Sequence, residues 1–472
     1  MSSRTYLTTT LPYVNADPHI GFALESVQAD VSARYARMRG EEVFFNIGTD
    51  EHGQKIWQKA KELGREPQNY VDEQVKHFES LREALNLSYT NFIRTTDTHH
   101  IVAAQEFWRR CDATGDIYKK SYATKYCVGC ELEKTDSELE WGKCPLHPTQ
   151  ELEVREEENY FFRFSKYADF LQELYTHEDF ILPQSRLHEM QCFVEGGLQD
   201  FSISRLTEKM PWGVPVPGDS EHTMYVWFDA LVNYVSAIGW PDDQKKFEDW
   251  WPVIQFAGKD NNRQQSAMWQ AMLKSAGLAA SKQIVIHGFI TSGGHKMSKS
   301  AGNVVDPLTL VSEYGTDALR HYLLREVNPF EDSDFSAEKF KESYNANLAN
   351  GLGNLVSRVM KMAETNLSTP ITLGESTVAK GYAQALAEYR YNDALDLVWQ
   401  KIGEADARIT ETEPFKLVKT DPDAGKKIIT ELVHSLGEIA ELLTPLLPST
   451  ADTIRLAIAS NHLPAPLFAR KD

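Results

Sequence analysis

Three scarcities bound this chain of 472 residues before any motif is considered. Cysteine is rare: there are five, and Cys127, Cys130 and Cys144 fall in one short stretch. That clustering suits a metal site in a reducing compartment better than a disulfide framework. Cys111 and Cys192 are expected to be buried thiols rather than ligands. Long apolar runs are missing. None approaches the roughly 20 residues that cross a bilayer, so no membrane partner is expected. Positive charge is the minority sign, with 49 Lys and Arg against 68 Asp and Glu and a net charge of −19. This is not the body of a general nucleic-acid binder; such a partner would need a local basic surface and would bind with steep salt dependence. The first expected strand begins by about residue 5, which leaves no room for a leader, and a cytoplasmic location follows as the expectation.

What is present is ordinary for a globular protein: 42% hydrophobic and 25% charged residues, with length for two to four domains. The segment Thr8-Thr9-Thr10-Leu11-Pro12-Tyr13-Val14-Asn15-Ala16-Asp17-Pro18-His19-Ile20-Gly21-Phe22 organises the rest. A β-rich run, Tyr6 to Thr10, enters a turn, and an amphipathic helix then runs to about Arg39. Asp17 is placed as N-cap and Pro18 as first helical residue, which sets His19 and Gly21 in the first turn. Free N–H groups and the helix dipole there favour an anion, and Gly21 leaves space for a flat ring. Val43 to Ile47 reads as a buried parallel strand ending in the polar loop Gly48-Thr49-Asp50-Glu51-His52-Gly53, at the strand end where open α/β sheets bind ligands. Asp50 there suits a substrate ammonium group, or else caps the helix starting near Gln54.

Cys127-Val128-Gly129-Cys130 and Cys144-Pro145-Leu146-His147 supply four ligands in two paired turns, as tetrahedral Zn²⁺ requires; with every position filled by protein, the ion is structural. Trp227, Ala230 and Tyr234 share a helical face, a pattern that is usually plain core. Strand Val253 to Ala257 opens into Gly258-Lys259-Asp260, another strand-end loop. His287 to Ile290 then leads into the doubly basic loop Gly293-Gly294-His295-Lys296-Met297-Ser298-Lys299-Ser300. From about residue 338 onward the pattern is entirely helical, with helices expected near 338–365, 376–392, 394–412, 423–444 and 448–459, which makes a bundle.

Pro18-His19-Ile20-Gly21-Phe22 resembles the HIGH motif of class I aminoacyl-tRNA synthetases, with the last His replaced by Phe22, and Lys296 to Ser300 spells KMSKS. Their order, spacing and intervening chain are similar to the methionyl-tRNA synthetase family over nearly the whole length. The resemblance implies a Rossmann-type parallel-sheet catalytic domain in two halves, 1–115 and 211–300, a connecting insert with zinc knuckle at 116–210, a linker at 301–337 and a helical anticodon-binding domain at 338–472. The acidic, turn-rich Pro329 to Phe335 marks the boundary. Missing appended domains make a monomer the expectation. The insert is too short for the editing domain of relatives that handle branched aliphatic residues.

The family's roles carry over to matching positions. His19, Lys296 and Lys299 would be catalytic, and no enzymic nucleophile is needed. ATP would be held by His19, Gly21, Phe22, Gly258, Asp260, Ile290 and Lys299, with Mg²⁺ accompanying it. L-Methionine would lie against Leu11, Tyr13, Asp50, Trp227, Ala230, Tyr234 and Gln265. The Gly293-Gly294 loop would let the lysines close on ATP. The tRNA(Met) anticodon would meet Asn354, Arg358 and Phe415. Departures from the family pattern are Phe22, for which His52 or Lys55 could substitute as donor, and Asn261 and Gln265, which promise a more polar methionine pocket. A non-catalytic tRNA-binding paralogue and a class I ligase for another amino acid are the competing readings.

Overall fold

The computed structural model describes residues 3–130, 132–134, 138–297, 303–374 and 380–472. At its centre lies a parallel sheet of β1 (Arg4–Thr8), β2 (Glu42–Thr49), β3 (Asn91–Arg94), β4 (Ile181–Leu182), β5 (Ile254–Gly258) and β6 (Gln283–His287). The spatial order is β3-β2-β1-β5-β6-β4. Near-continuous apolar strands such as Val43 to Ile47 belong in a sheet covered on both faces. The order reverses between β1 and β5, paired at Leu7↔Ile254 and Thr8↔Gln255, so the loops leaving these strands open on one crevice.

Between β3 and β5 a smaller antiparallel sheet forms from Ile117–Cys127, Leu132–Lys134, Glu153–Phe162 and Phe201–Ser202. The segment 116–210 is not a separate insert throughout: Ile181–Leu182 pairs with β6 and forms the edge of the central sheet. A second departure follows β6. A hairpin of β7 (Ile290–Ser292) and β8 (His295–Lys296) pairs in parallel with β9 (Ser333–Phe335), inside the stretch expected to be a boundary loop.

Helices described beyond residue 337 include Ala337–Ser343, Asn354–Asn366, Lys380–Ala387, Tyr391–Thr412, Pro414–Thr420, Pro422–Leu443 and Pro448–Ser460. They share one apolar core with the helix Ile20–Met38. The stitch is polar. Fully buried Arg320 pairs with Asp30 of that helix at 2.8 Å and donates to the carbonyls of Leu85, Pro445 and Leu446 at 2.8–3.1 Å. Burial opposes ionisation of Asp30, but Arg320 and Arg34 outweigh it and hold the carboxyl below its usual range. Cys111 is buried as expected, whereas Cys192 is exposed on the helix Gln184–Glu195, which buries a different face.

Replacing Arg320 by Met should leave Asp30 without its buried partner and destabilise the fold by about 3–5 kcal/mol, read as a lower urea midpoint.

Candidate active site

One cavity of about 450 Å³ opens at the crevice between β1 and β5. The first loop to reach it does not cap its helix as the sequence suggests. The helix begins at Ile20 with His19 as N-cap, and Asp17 instead bonds His77 Nδ1 at 2.7 Å. His19 Nδ1 accepts the Gly21 amide at 3.1 Å, a close approach in which a Cβ at position 21 would lie 3.0 Å from the imidazole. The remaining N–H groups of the first turn are also used: Ile20 donates to the Val305 carbonyl at 3.0 Å, and Phe22 and Ala23 to the His19 carbonyl at 3.0 and 3.2 Å. The expected row of open donors is therefore closed. With Nδ1 accepting, the neutral imidazole carries its proton on Nε2.

His19, Gly21 and Phe22 line the cavity together with Gly258, Asp260 and Ile290. Met297, beyond the doubly basic hairpin, lines it too, so both motif-bearing loops border one space. Lys299 lies outside the described residues, as does the side chain of Lys296. Phe22 is nearly buried and packs edge-on against Phe78, with ring centres 5.7 Å apart. Of its suggested substitutes, His52 is excluded: its Nδ1 sits 2.5 Å from Asp229 Oδ2, away from the cavity. Asp229 lies 177 positions along the chain, so no local pattern announces the pair. Lys55 does line the cavity, and its ammonium donates to the Gly129 carbonyl at 2.7 Å.

Leu11, Tyr13, Asp50, Trp227, Ala230 and Tyr234 line the same cavity. Asp50 is fixed by its backbone, which exchanges hydrogen bonds with Pro12 and Val14 at 2.9 and 3.2 Å and so faces Tyr13. It does not cap the following helix, whose N-cap is Gly53. Gln265 also lines the cavity, but both ends of its amide are spent: Oε1 accepts from Gln255 at 2.8 Å, and Nε2 donates to Tyr234 Oη at 2.9 Å. Its polarity thus reaches the cavity through the tyrosine hydroxyl.

Sequence reasoning missed two buried groups that line the cavity, Glu25 and His287. Glu25 Oε1 accepts the Thr10 amide and hydroxyl, each at 2.6 Å, and Oε2 meets His287 Nε2 at 2.9 Å. His287 Nδ1 donates to the Gly288 carbonyl at 2.8 Å. Burial alone would depress the His287 pKa, yet the hydrogen bond and charge of Glu25 leave it raised. Glu25 falls on the buried face of its helix and His287 ends a strand that opens on the crevice, the only signals available.

Beside the cavity, which Cys130 also lines, Cys127, Cys130, Cys144 and His147 bring their ligand atoms within 4.8 Å of one another. The contacts among them run from 3.2 to 3.9 Å. A tetrahedron with metal–sulfur bonds of about 2.3 Å has edges of about 3.8 Å, so the spacing fits an ion at the centre. A Cβ on Gly129 would lie 2.4 Å from the His147 ring, so the knuckle closes only with glycine there.

Residues 5–151 and 147–360 match the family described as tRNA synthetases class I (M). The chain is 42% identical over 471 residues to the methionine–tRNA ligase of a Nostoc species, spanning 95% of this chain and 88% of that one. It is 38% identical over 479 residues to the Thermotoga maritima methionine–tRNA ligase, spanning 98% and 76%. The chain belongs to the methionine–tRNA ligase family. The solved structure of Mycobacterium tuberculosis methionyl-tRNA synthetase in complex with methionyl-adenylate superposes with a TM-score of 0.91, at 34% identity and full coverage of both chains.

In this methionine–tRNA ligase family member, the residues expected to meet an anticodon lie on the bundle. Asn354 is exposed at the start of its helix, and Arg358, one turn on, pairs with Asp406 at 2.7 Å. Phe415 is 45% exposed, with the Lys416 ammonium 5.8 Å from its ring centre.

Replacing Gly129 by Ala should force the His147 ring out of the cluster. Metal content measured by plasma mass spectrometry is expected to fall well below that of the wild type.

Proposed function

We propose that the cavity joins methionine to ATP, giving methionyl-adenylate and pyrophosphate, and then passes the methionyl group to the 3′ end of tRNA(Met). The observation that carries this is the convergence of the His19 loop, the Gly258–Asp260 loop and the Ile290–Met297 hairpin on one space that Tyr13, Asp50, Trp227 and Tyr234 also line. The methionyl-adenylate complex of the similar M. tuberculosis enzyme supports the reading.

Asp50 pairs with the substrate ammonium group. Leu11, Tyr13, Trp227, Ala230 and Tyr234 enclose the thioether, where sulfur–aromatic contact contributes about 0.3–1.5 kcal/mol. Gly258 and Asp260 hold the ribose, and Ile290 lies against the adenine. The methionine carboxylate attacks the α-phosphorus as the bond to pyrophosphate breaks, and no enzyme nucleophile takes part. Catalysis is alignment and stabilisation of developing charge: the Nε2–H of His19 meets the phosphates, and Lys296 and Lys299 meet the leaving group. Phe22 offers no donor; Lys55, already on the wall, is the cation placed to replace one. Mg²⁺ accompanies ATP. Cys127, Cys130, Cys144 and His147 would hold a structural Zn²⁺. On the bundle, Asn354 and Arg358 hydrogen-bond anticodon bases and Phe415 stacks on one. No helix among the described residues is long and apolar enough to cross a membrane, and the reading is of a cytoplasmic monomer.

Exchange of labelled pyrophosphate into ATP should depend on methionine and be absent with cysteine, leucine and isoleucine. Exchange driven by another amino acid would reassign the pocket. No exchange at saturating methionine and Mg²⁺, with tRNA binding intact, would identify a non-catalytic binder.

A further inference from the structure

The strand β9 lies outside the cavity yet holds the hairpin that carries Lys296. Its register, Ile290↔Ser333, Thr291↔Asp334 and Ser292↔Phe335, fixes one edge of β7. Asp332 and Asp334, two residues apart, fall on the same side of the extended chain. Asp332 accepts the Phe289 amide at 2.9 Å and pairs with Lys259 of the Gly258–Asp260 loop at 2.6 Å. Asp334 Oδ1 accepts both the Thr291 hydroxyl and the Gly294 amide, each at 2.8 Å. Gly293 and Gly294 form the turn at φ 65° and 76°, and the hairpin itself pairs only Thr291↔Lys296 and Ser292↔His295. A two-stranded ribbon this short does not hold its own shape. Its base is set by the β9 ladder, where Gly288 sits so close to Glu331 that a Cβ would lie 2.2 Å from the Glu331 carbonyl carbon. At its tip, among the described residues, the Asp334 carboxylate holds Thr291 and Gly294, and Asn303 Nδ2 donates to the Ser292 carbonyl at 3.4 Å.

We propose that Asp334 is a positioning residue for the ATP-dependent step, fixing the tip of the Ile290–Lys296 hairpin so that the doubly basic loop is presented to the phosphates. This rests on the reading of the cavity as the ATP site. Asp334 is not part of the cavity wall and acts through the Gly294 amide and Thr291 hydroxyl. Those two donors also hold its carboxyl below the usual range, with the amide as the larger influence and Lys339 and His295 adding smaller ones. It therefore stays ionised and able to accept both bonds at neutral pH. The carboxylate is exposed, so these bonds compete with water and add little to global stability. What they select is one placement of the turn among several of similar energy.

The test compares wild type, Asp334→Ala and Asp334→Asn by amide hydrogen exchange at Gly294 without ligands, and by methionine-dependent pyrophosphate exchange. Asp334→Ala should speed exchange at Gly294 by about 10-fold. It should lower kcat by up to about 100-fold, as displacement of a catalytic group by about an ångström does, with the methionine KM and the urea midpoint unchanged. Asp334→Asn, whose amide oxygen still accepts, should recover most of both. An unchanged kcat in Asp334→Ala, or equal Gly294 protection in all three proteins, would overturn the proposal. Because the amide readout needs no catalysis, a wild type that fails to exchange pyrophosphate counts against the site reading and is told apart from failure at Asp334.

Discussion

The parallel pairing of β1 with β5 is the constraint on which the remaining structure depends. Two strands about 250 residues apart lie side by side at Leu7↔Ile254 and Thr8↔Gln255, at the point where the sheet order reverses. Four of the segments that line the cavity hang from the carboxyl ends of these strands and their neighbours: the His19 loop from β1, the Asp50 loop from β2, the Gly258–Asp260 loop from β5 and the basic hairpin from β6. Shifting that pairing would leave each motif intact but part the His19 and Asp50 loops from the Gly258–Asp260 loop and the basic hairpin.

Around this crevice two buried carboxylates are each met by more than one partner. Glu25 receives two bonds from Thr10 and one from His287, and Asp229 receives two imidazoles, His52 at 2.5 Å and His100 at 2.8 Å. A buried carboxylate costs several kcal/mol unless it is so provided for. Tyr234 is met by Gln265, the Asp50 backbone by Pro12 and Val14, and the His19 imidazole by the Gly21 amide. The helical bundle enters the same economy through Arg320, whose partners come from the first helix, from the loop before β3 and from the segment between two bundle helices. Catalytic sheet and bundle therefore fold as one core.

Features whose chemistry is local could be read from the sequence. The CxxC and CxxH turns needed only spacing. The helical tail needed only periodicity: the helices Tyr391–Thr412, Pro422–Leu443 and Pro448–Ser460 lie within a few residues of their expected positions, whereas Lys380–Ala387 ends five residues before the expected 392 and the short helix Pro414–Thr420 stands where a loop was expected. The strand-end loops at Asp50 and Gly258 followed from apolar runs meeting polar turns. What failed was decided by side-chain geometry or by partners far along the chain. His19 displaces Asp17 as cap because its own imidazole can reach the Gly21 amide, a choice that composition does not reveal. His52 looked available until Asp229 arrived from a helix far along the chain. Ile181–Leu182 and Ser333–Phe335 are too short to show an alternating pattern, and their strand character comes wholly from partners. The carboxylates at Asp332 and Asp334 read as a solvated acidic turn for the same reason.

The central claim is that methionine and ATP share a single cavity. Calorimetric titration with a non-hydrolysable analogue of methionyl-adenylate tests it most directly. The account predicts one site per chain and complete exclusion of both methionine and ATP by the bound analogue. An analogue that left either substrate free to bind would contradict it.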